Sequence, residues 1–413
     1  MIEREIKKKI TDTLNLKEIT ILTGARQVGK TTILKLIMDE LKKKGKSVVS
    51  FNLDIEEDAS YFESQQKLLN KIVLECGNSP AYVFIDEIQQ KEKAGRFLKG
   101  IYDMGLPYKI VVSGSGSMEL KEQIGEALTG RKILINMWPV TFLEFIEYKT
   151  HGKYKQQLKL FFETETEKAS LLLFEYLVYG GYPAVITATT IDRKLEIMRE
   201  VFGSYITKDI SFLLGVRQPD KFVRLIQLLA NLAGNILNYS NVSQKTSLRV
   251  ETLKTYLWYA EQTFIVQQIK PFFTNPVKEL TKSPVVYFYD TGMLNFSKNN
   301  FRNSAIDGML FQNFIFQFLK QKYEQGLMQI KYWRTKDKAE VDFIVEKENK
   351  IIPVEVKYKA LKKPEISRSY RSFLKKYQPD TGIIVNLLLD QELRIDNTLV
   401  KIIPYWKLMF AAF

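Results

Sequence analysis

Sulfur and imidazole are almost missing from this chain, which has a single cysteine, Cys76, and a single histidine, His151, in 413 residues. One cysteine rules out an internal disulfide framework and suits a reducing compartment. One histidine beside it argues against a zinc site of the usual Cys/His kind. Long apolar runs are missing too: no uninterrupted stretch reaches the roughly 20 residues that span a bilayer. The N-terminus, Met1-Ile2-Glu3-Arg4-Glu5, is charged where a signal peptide would carry an apolar core. These absences predict a cytoplasmic protein without membrane contact. Acidic residues are in deficit, 47 Asp and Glu against 61 Lys and Arg, for a net charge of +14. Such an excess attracts polyanions, most often nucleic acid; the alternative is a solubilising lysine coat.

At 413 residues, 45% of them hydrophobic, the chain is long enough for two to four domains, each with its own core. The densest local signal is Gly24-Ala25-Arg26-Gln27-Val28-Gly29-Lys30-Thr31, with Thr32 behind it. It fits the G-x-x-x-x-G-K-[ST] pattern. An apolar, β-branched run (residues 19–23) precedes it, and apolar residues at helical spacing (33–38) follow. Strand, glycine loop, helix is the order that aims loop N–H groups and a helix dipole at a triphosphate. On this reading Lys30 reaches the β- and γ-phosphates of ATP and the Thr31 hydroxyl holds Mg²⁺. Gly24 and Gly29 let the backbone approach the phosphates.

Further strands are predicted at 47–53, 81–85, 108–112 and 132–137, with helical spacing at 7–17 and 68–74. Strands alternating with helices predict a doubly wound parallel sheet of the P-loop NTPase kind. The run 81–85 ends in Asp86-Glu87, which places two carboxylates at the C-terminal edge where such sheets bind ligands. Asp86 is expected to bind the metal through water or with the Thr31 hydroxyl, and Glu87 to orient and deprotonate the attacking water. Ser113 or Ser115 ends the next strand, as a γ-phosphate sensor or simply in a serine-glycine turn. Helical periodicity dominates from Phe142 to about Leu214. Three short helices between 222 and 257, then strands at 264–269 and 285–289, suggest a winged helix-turn-helix. Such a module presents Arg249, Thr252 and Lys254 to a DNA major groove, or serves as a protein-contact domain.

Residues Thr23–Thr32, Ile85-Asp86-Glu87-Ile88-Gln89 and Leu128-Thr129-Gly130-Arg131 resemble the signature segments of a widespread prokaryotic family. Trp138–Phe145 and Tyr179-Gly180-Gly181-Tyr182-Pro183 resemble further ones. Its members join an AAA-type ATPase to a C-terminal domain with a restriction-nuclease-like core, and the resemblance covers nearly the whole chain. It implies that Arg131 is an arginine finger and Pro183 a lid residue near the nucleotide base. Arg131 as a surface ion-pair partner, and Gly180 to Pro183 as a plain turn, remain the alternatives.

The C-terminal part carries a second constellation. In the strand 350–357, Glu355 and Lys357 share a face, because side chains repeat every two residues. Asp342 can lie opposite them on the preceding strand, and the three resemble a D…E-x-K nuclease centre. Asp342 and Glu355 would hold a second Mg²⁺ or Mn²⁺ with Lys357 beside them; the alternative is a solvated hairpin with an ion pair. The family's segment at Phe311-Gln312-Asn313-Phe314 usually has glutamate where Gln312 stands, which removes a negative charge that hard cations prefer. Lys357, Lys359, Lys362, Lys363, Arg368, Arg371, Lys375 and Lys376 could contact phosphates nearby.

The resulting expectation is a multidomain α/β chain. An ATPase domain spans 1–140, a helical lid 141–216, the winged helix 217–283 and a restriction-endonuclease-like domain 284–413. It binds and hydrolyses ATP with Mg²⁺, acts on DNA, and couples nucleotide state to the nuclease-like domain. The competing expectation is a nucleotide-switched regulator or scaffold whose nuclease-like domain is inactive. Assembly as a homo-oligomer is left open.

Overall fold

The computed structural model of the chain describes residues 1–115, 127–213, 216, 218–273, 283–302, 306–323, 328–348 and 350–410. Five strands, β1 (Ile19–Gly24), β2 (Val48–Asn52), β3 (Ala81–Asp86), β4 (Tyr108–Ser115) and β5 (Lys132–Met137), form a sheet of order β2-β3-β4-β1-β5. Every pairing in it is parallel. Its apolar residues alternate between two cores. Leu22, Phe84 and Val111 face the helix Lys30–Lys43, whose Ile33, Leu34 and Ile37 are buried with them. Ile21, Val83, Ile85 and Val112 face the helices Gln65–Cys76 and Ala94–Asp103. Burial on both faces is why these strands read as apolar runs.

Serine and glycine suggest a turn from residue 113, yet β4 continues through Ser115, with Ser113 paired to Leu22 and Ser115 to Gly24. A central strand position between two neighbours outweighs local turn propensity. Gly116 and Ser117 of that stretch lie outside the described residues.

Helices follow at Phe142–Lys149, Leu158–Thr164, Thr166–Tyr179, Pro183–Thr187 and Ile191–Ser204, then a π-helical segment, Tyr205–Leu213. Three more, Pro219–Leu232, Tyr239–Thr246 and Val250–Gln262, lead into the antiparallel pair β6 (Val266–Ile269) and β7 (Val285–Phe288). The second strand of this ribbon thus lies beyond residue 283. After Thr291–Ser297 and the long helix Gly308–Tyr323 comes a mixed six-stranded sheet. Its strands are β8 (Met328–Arg334), β9 (Glu340–Lys347), β10 (Lys350–Val356), β11 (Thr381–Asn386), β12 (Gln391–Ile395) and β13 (Thr398–Pro404), in the order β12-β13-β11-β10-β9-β8. The helix Gly308–Tyr323 packs against β7, β8 and β10, and Arg368–Tyr377 against β9. Among the described residues no helix is long and apolar enough to cross a membrane.

Candidate nucleotide site and C-terminal carboxylate pair

The phosphate loop connects β1 to the helix Lys30–Lys43, with Gly29 as the helix N-cap at φ 99° and Gln27 at φ 59°. A Cβ on Gly24 would meet the Met137 carbonyl oxygen at 2.2 Å, so only glycine lets β1 leave the sheet beside β5. The Lys30 ammonium folds over the loop, donating to the carbonyls of Gly24 (3.1 Å) and Ala25 (2.7 Å). Thr31 Oγ1 donates to Asp86 Oδ2 at 2.6 Å, and Ser113 donates to Oδ1 of the same carboxylate. Three neighbouring elements thereby converge on Asp86 at the C-terminal edge of the sheet.

Glu87 follows in left-handed backbone, φ 55°. Burial pushes its carboxyl above the usual carboxylate range, opposed by a hydrogen bond from the Gln89 amide and by the charges of Lys30 and Arg26. Gln89 is itself buried, and among the described residues its Oε1 has no partner. Among the described residues the buried hydroxyls of Thr23 and Ser115, at the ends of β1 and β4, also lack partners. Glycines at the approach, a lysine on the loop, a threonine–aspartate pair within bonding distance and orphaned hydroxyls beside them fit a triphosphate with Mg²⁺.

Pro183 opens the helix Pro183–Thr187, and its Cγ would lie 4.0 Å from a Cβ on Gly29. The structure therefore brings Pro183 to the phosphate loop. Gln27 and Ser204 make a second contact, between the loop and the helix Ile191–Ser204, at 3.5 Å. Arg131 is not brought there. It stands where β5 begins, its carbonyl accepting from Ile19 N at the start of β1, and its Nε pairs with Asp103 at 2.8 Å. The whole of β1, about 20 Å at the usual rise per residue, separates it from its own phosphate loop. It cannot act as a finger on that loop.

The sequence reading missed Arg4. Its guanidinium donates to the Val28 carbonyl in the loop (3.0 Å), to the Trp138 (2.6 Å) and Pro139 (3.3 Å) carbonyls, and to Glu144 (3.0 Å). Glu144 also closes a capping box with Thr141. The T-x-x-E spacing could have revealed the cap; nothing local could have revealed its partner 140 residues away.

In the C-terminal domain the β9–β10 ladder runs to Val354–Phe343, and beyond it the Asp342 carboxylate accepts from Val356 N at 2.7 Å. Gln312 Nε2, from the helix Gly308–Tyr323, donates to Asp342 Oδ1 and to the Tyr287 hydroxyl, each at 2.9 Å. Burial first, then the Glu355 charge, pushes the Asp342 carboxyl up to about 7. Glu355, also raised by burial, pairs with Lys357 Nζ at 3.7 Å and accepts from Ser367 Oγ at 3.2 Å. Asp342, Glu355, Lys357 and Gln312 thus do come together. Their arrangement does not fit a resident cation, however. Both Asp342 oxygens already accept N–H donors, and Gln312 presents its nitrogen. Among the described residues no group of three or more His, Cys, Asp or Glu side chains could hold a metal. The missing third carboxylate is the physical reason.

Of the expected DNA-facing residues, Arg249 and Lys254 are exposed and Thr252 half-buried. Lys359, Lys362, Lys363, Arg368, Arg371, Lys375 and Lys376 are all exposed. Ser367, which bonds Glu355, also caps the helix bearing Arg368, Arg371 and Lys375. Their spacing places those three on one face.

Residues 16–146 match the family model described as an AAA domain. Residues 170–304 and 307–408 match two domains of unknown function, DUF8612 and DUF4143. An uncharacterized protein of Methanocaldococcus jannaschii is 25% identical over 98% of this chain and 90% of its own length. One of Haemophilus influenzae is 25% identical over 82% of each, and one of Mycobacterium tuberculosis 24% identical over 90% of this chain and 77% of its own. Among solved structures, AMPPCP-bound DnaA from Aquifex aeolicus aligns over 63% of this chain and 90% of its own at 14% identity and TM-score 0.28. Cdc6p from Pyrobaculum aerophilum aligns over 72% and 93% at 12% identity and TM-score 0.25. Likeness that slight says nothing about ligand or partner. The family match, the parallel sheet and the loop geometry together make the N-terminal part an AAA-type P-loop domain.

Proposed function

We propose that the protein binds and hydrolyses ATP and acts on DNA, its nucleotide state governing the C-terminal domain. The observation that carries this reading is the meeting of Thr31 and Ser113 on the Asp86 carboxylate, with Glu87 next in the chain. Lys30 and the loop amides would hold the phosphates, while Thr31 and Asp86 would hold Mg²⁺, which when bound neutralises charge on the phosphate oxygens. Glu87 positions water and takes its proton, and a carboxyl raised by burial is a stronger base for that task. Lys30→Ala should abolish most nucleotide binding and turnover; unchanged ATP hydrolysis by that variant removes the proposal.

Three helices followed by the β6–β7 ribbon support a winged helix-turn-helix, and the basic helix face beyond Ser367 supports phosphate contact. A finger role for Arg131 requires a second copy of the chain. The mixed C-terminal sheet, with Asp342, Glu355 and Lys357 gathered on it, supports a restriction-nuclease-like core. Gln312 donating to Asp342 favours a form of it that does not cleave. Incubating labelled DNA with the protein, ATP and Mn²⁺, beside Asp342→Ala, separates a nuclease from a switched DNA-binding regulator.

A further inference from the structure

We infer that strand β7 relays the state of the phosphate loop to Asp342; the inference rests on the proposed nucleotide binding. A continuous run of short contacts joins the two sites. It starts at the loop in two legs. In one, Arg4 ties the Val28 carbonyl to the Trp138 carbonyl, and Val140 N donates to the Gly181 carbonyl at 2.7 Å. In the other, Pro183 packs beside Gly29, two residues along from Gly181.

From Gly181 the path runs through Asp290. Gly181 N donates to Asp290 Oδ2 at 2.7 Å, and Met293 N donates to Oδ1 at 2.8 Å. Asp290 is 3% exposed. The joint has no slack: a Cβ on Gly180 would meet Asp290 Oδ1 at 2.2 Å, one on Gly181 the Val140 oxygen at 2.4 Å, and one on Gly292 the Tyr179 oxygen at 2.2 Å. Such packing moves as a unit or not at all. The Trp138 ring centroid lies 4.7 Å from that of Tyr289, with the planes tilted by 31°, a second contact between the end of β5 and the end of β7.

β7 ends two residues before Asp290 and touches the second site twice. Asn313 clasps its last residue, accepting from Phe288 N (2.8 Å) and donating to Phe288 O (3.0 Å). The Tyr287 hydroxyl shares the Gln312 amide nitrogen with Asp342. A triphosphate that draws Lys30 off the Gly24 and Ala25 carbonyls shifts the loop. A shift passed through Gly181 and Asp290 to β7 then changes how tightly Gln312 holds the Asp342 carboxylate. Nucleotide would thus set the charge and accessibility of the C-terminal site without touching it.

The test is amide hydrogen exchange of the full chain with and without AMPPNP–Mg²⁺, in wild type, Tyr287→Phe and Asp290→Asn. In wild type, exchange in 306–323 and 340–357 should change about fivefold or more, the lower end of ordinary coupling free energies. Tyr287→Phe, which removes one hydroxyl and keeps the fold, should retain the response at 24–32 and at 306–323 but lose most of it at 340–357. Asp290→Asn should lose it in both C-terminal segments. A response at 24–32 with none at 306–323 and 340–357 in wild type overturns the relay alone, as does a full response at 340–357 in Tyr287→Phe. No response at 24–32 in wild type overturns nucleotide binding and the relay together.

Discussion

Arg4 and Glu144 form an ion pair at 3.0 Å with side chains only 6% and 4% exposed, joining the first turn of the chain to the segment that follows β5. Removing one partner of a buried pair strands the other. Arg4→Ala should therefore destabilise the fold by about 3–5 kcal/mol. Arg4→Lys should recover little, because an ammonium cannot reach four acceptors at the guanidinium's angles. A thermal midpoint within a degree or so of wild type for Arg4→Ala would show the pair to be dispensable.

Glu87→Gln should still bind ATP but hydrolyse it about 10²–10⁴-fold more slowly, the usual contribution of a positioned base. Asp86→Ala should lose Mg²⁺-dependent nucleotide binding. Since burial raises the Glu87 carboxyl, hydrolysis should fail on acidification at a pH above the ordinary carboxylate range. Gln89→Ala removes a hydrogen bond that favours the ionised form, so the acid limb should move to higher pH. Normal turnover in both acid variants would make the pair structural.

Asp342 is held at about 7, well above an unfolded aspartate. The folded protein therefore holds a proton that the unfolded chain releases, and stability falls as pH rises from the unfolded carboxylate range through about 7. Asp342→Asn should raise the melting temperature above pH 7 and do little below pH 4. The gain should be about 1–3 kcal/mol, less than the whole shift implies, because the residue keeps some contact with water. Equal effects at both pH values would contradict the assignment.

Gln312→Glu adds a third carboxylate to the pair. In chelator it should lower the melting temperature at pH 8, where three acids repel one another. Mn²⁺ should restore the loss and bring a DNA cleavage that wild type lacks. An unaltered response to Mn²⁺ would mean that Gln312 does not guard a metal position.

DNA affinity should fall steeply with salt, since each neutralised phosphate releases counter-ions. Charge reversal at Lys362, Lys363 and Lys375 should weaken binding about equally for all sequences. A salt-independent affinity would point to a protein partner.

What the sequence disclosed was contiguous. The glycine loop, the Asp86-Glu87 strand end and the Glu355-x-Lys357 alternation each lie within a few residues, so spacing alone carries the chemistry. The finger role of Arg131 came from resemblance alone; standing just before β5 in a parallel sheet, it falls at the edge away from the phosphate loop. Arg4, Asp290 and Tyr287 were illegible for another reason. Each is a lone residue whose partner lies 25 to 140 positions away, set by packing and not by any local period. The strands β11 to β13 also went unread, although Gly382–Val385 is as apolar as β3.

β7 pairs with β6 on one side of the molecule and is clasped by Asn313 on the other. In evolution the chain is therefore poorly suited to trading parts at residue 283. A recombination there would strip β6 of its partner, and the incoming helix would find no strand to grip. Exchange between 304 and 307, where the two matched family models meet, leaves β7 and Asp290 in place. Even there the newcomer must bring an asparagine for Phe288 and an amide for Tyr287. The C-terminal domain is inherited with its grip on β7 or not at all.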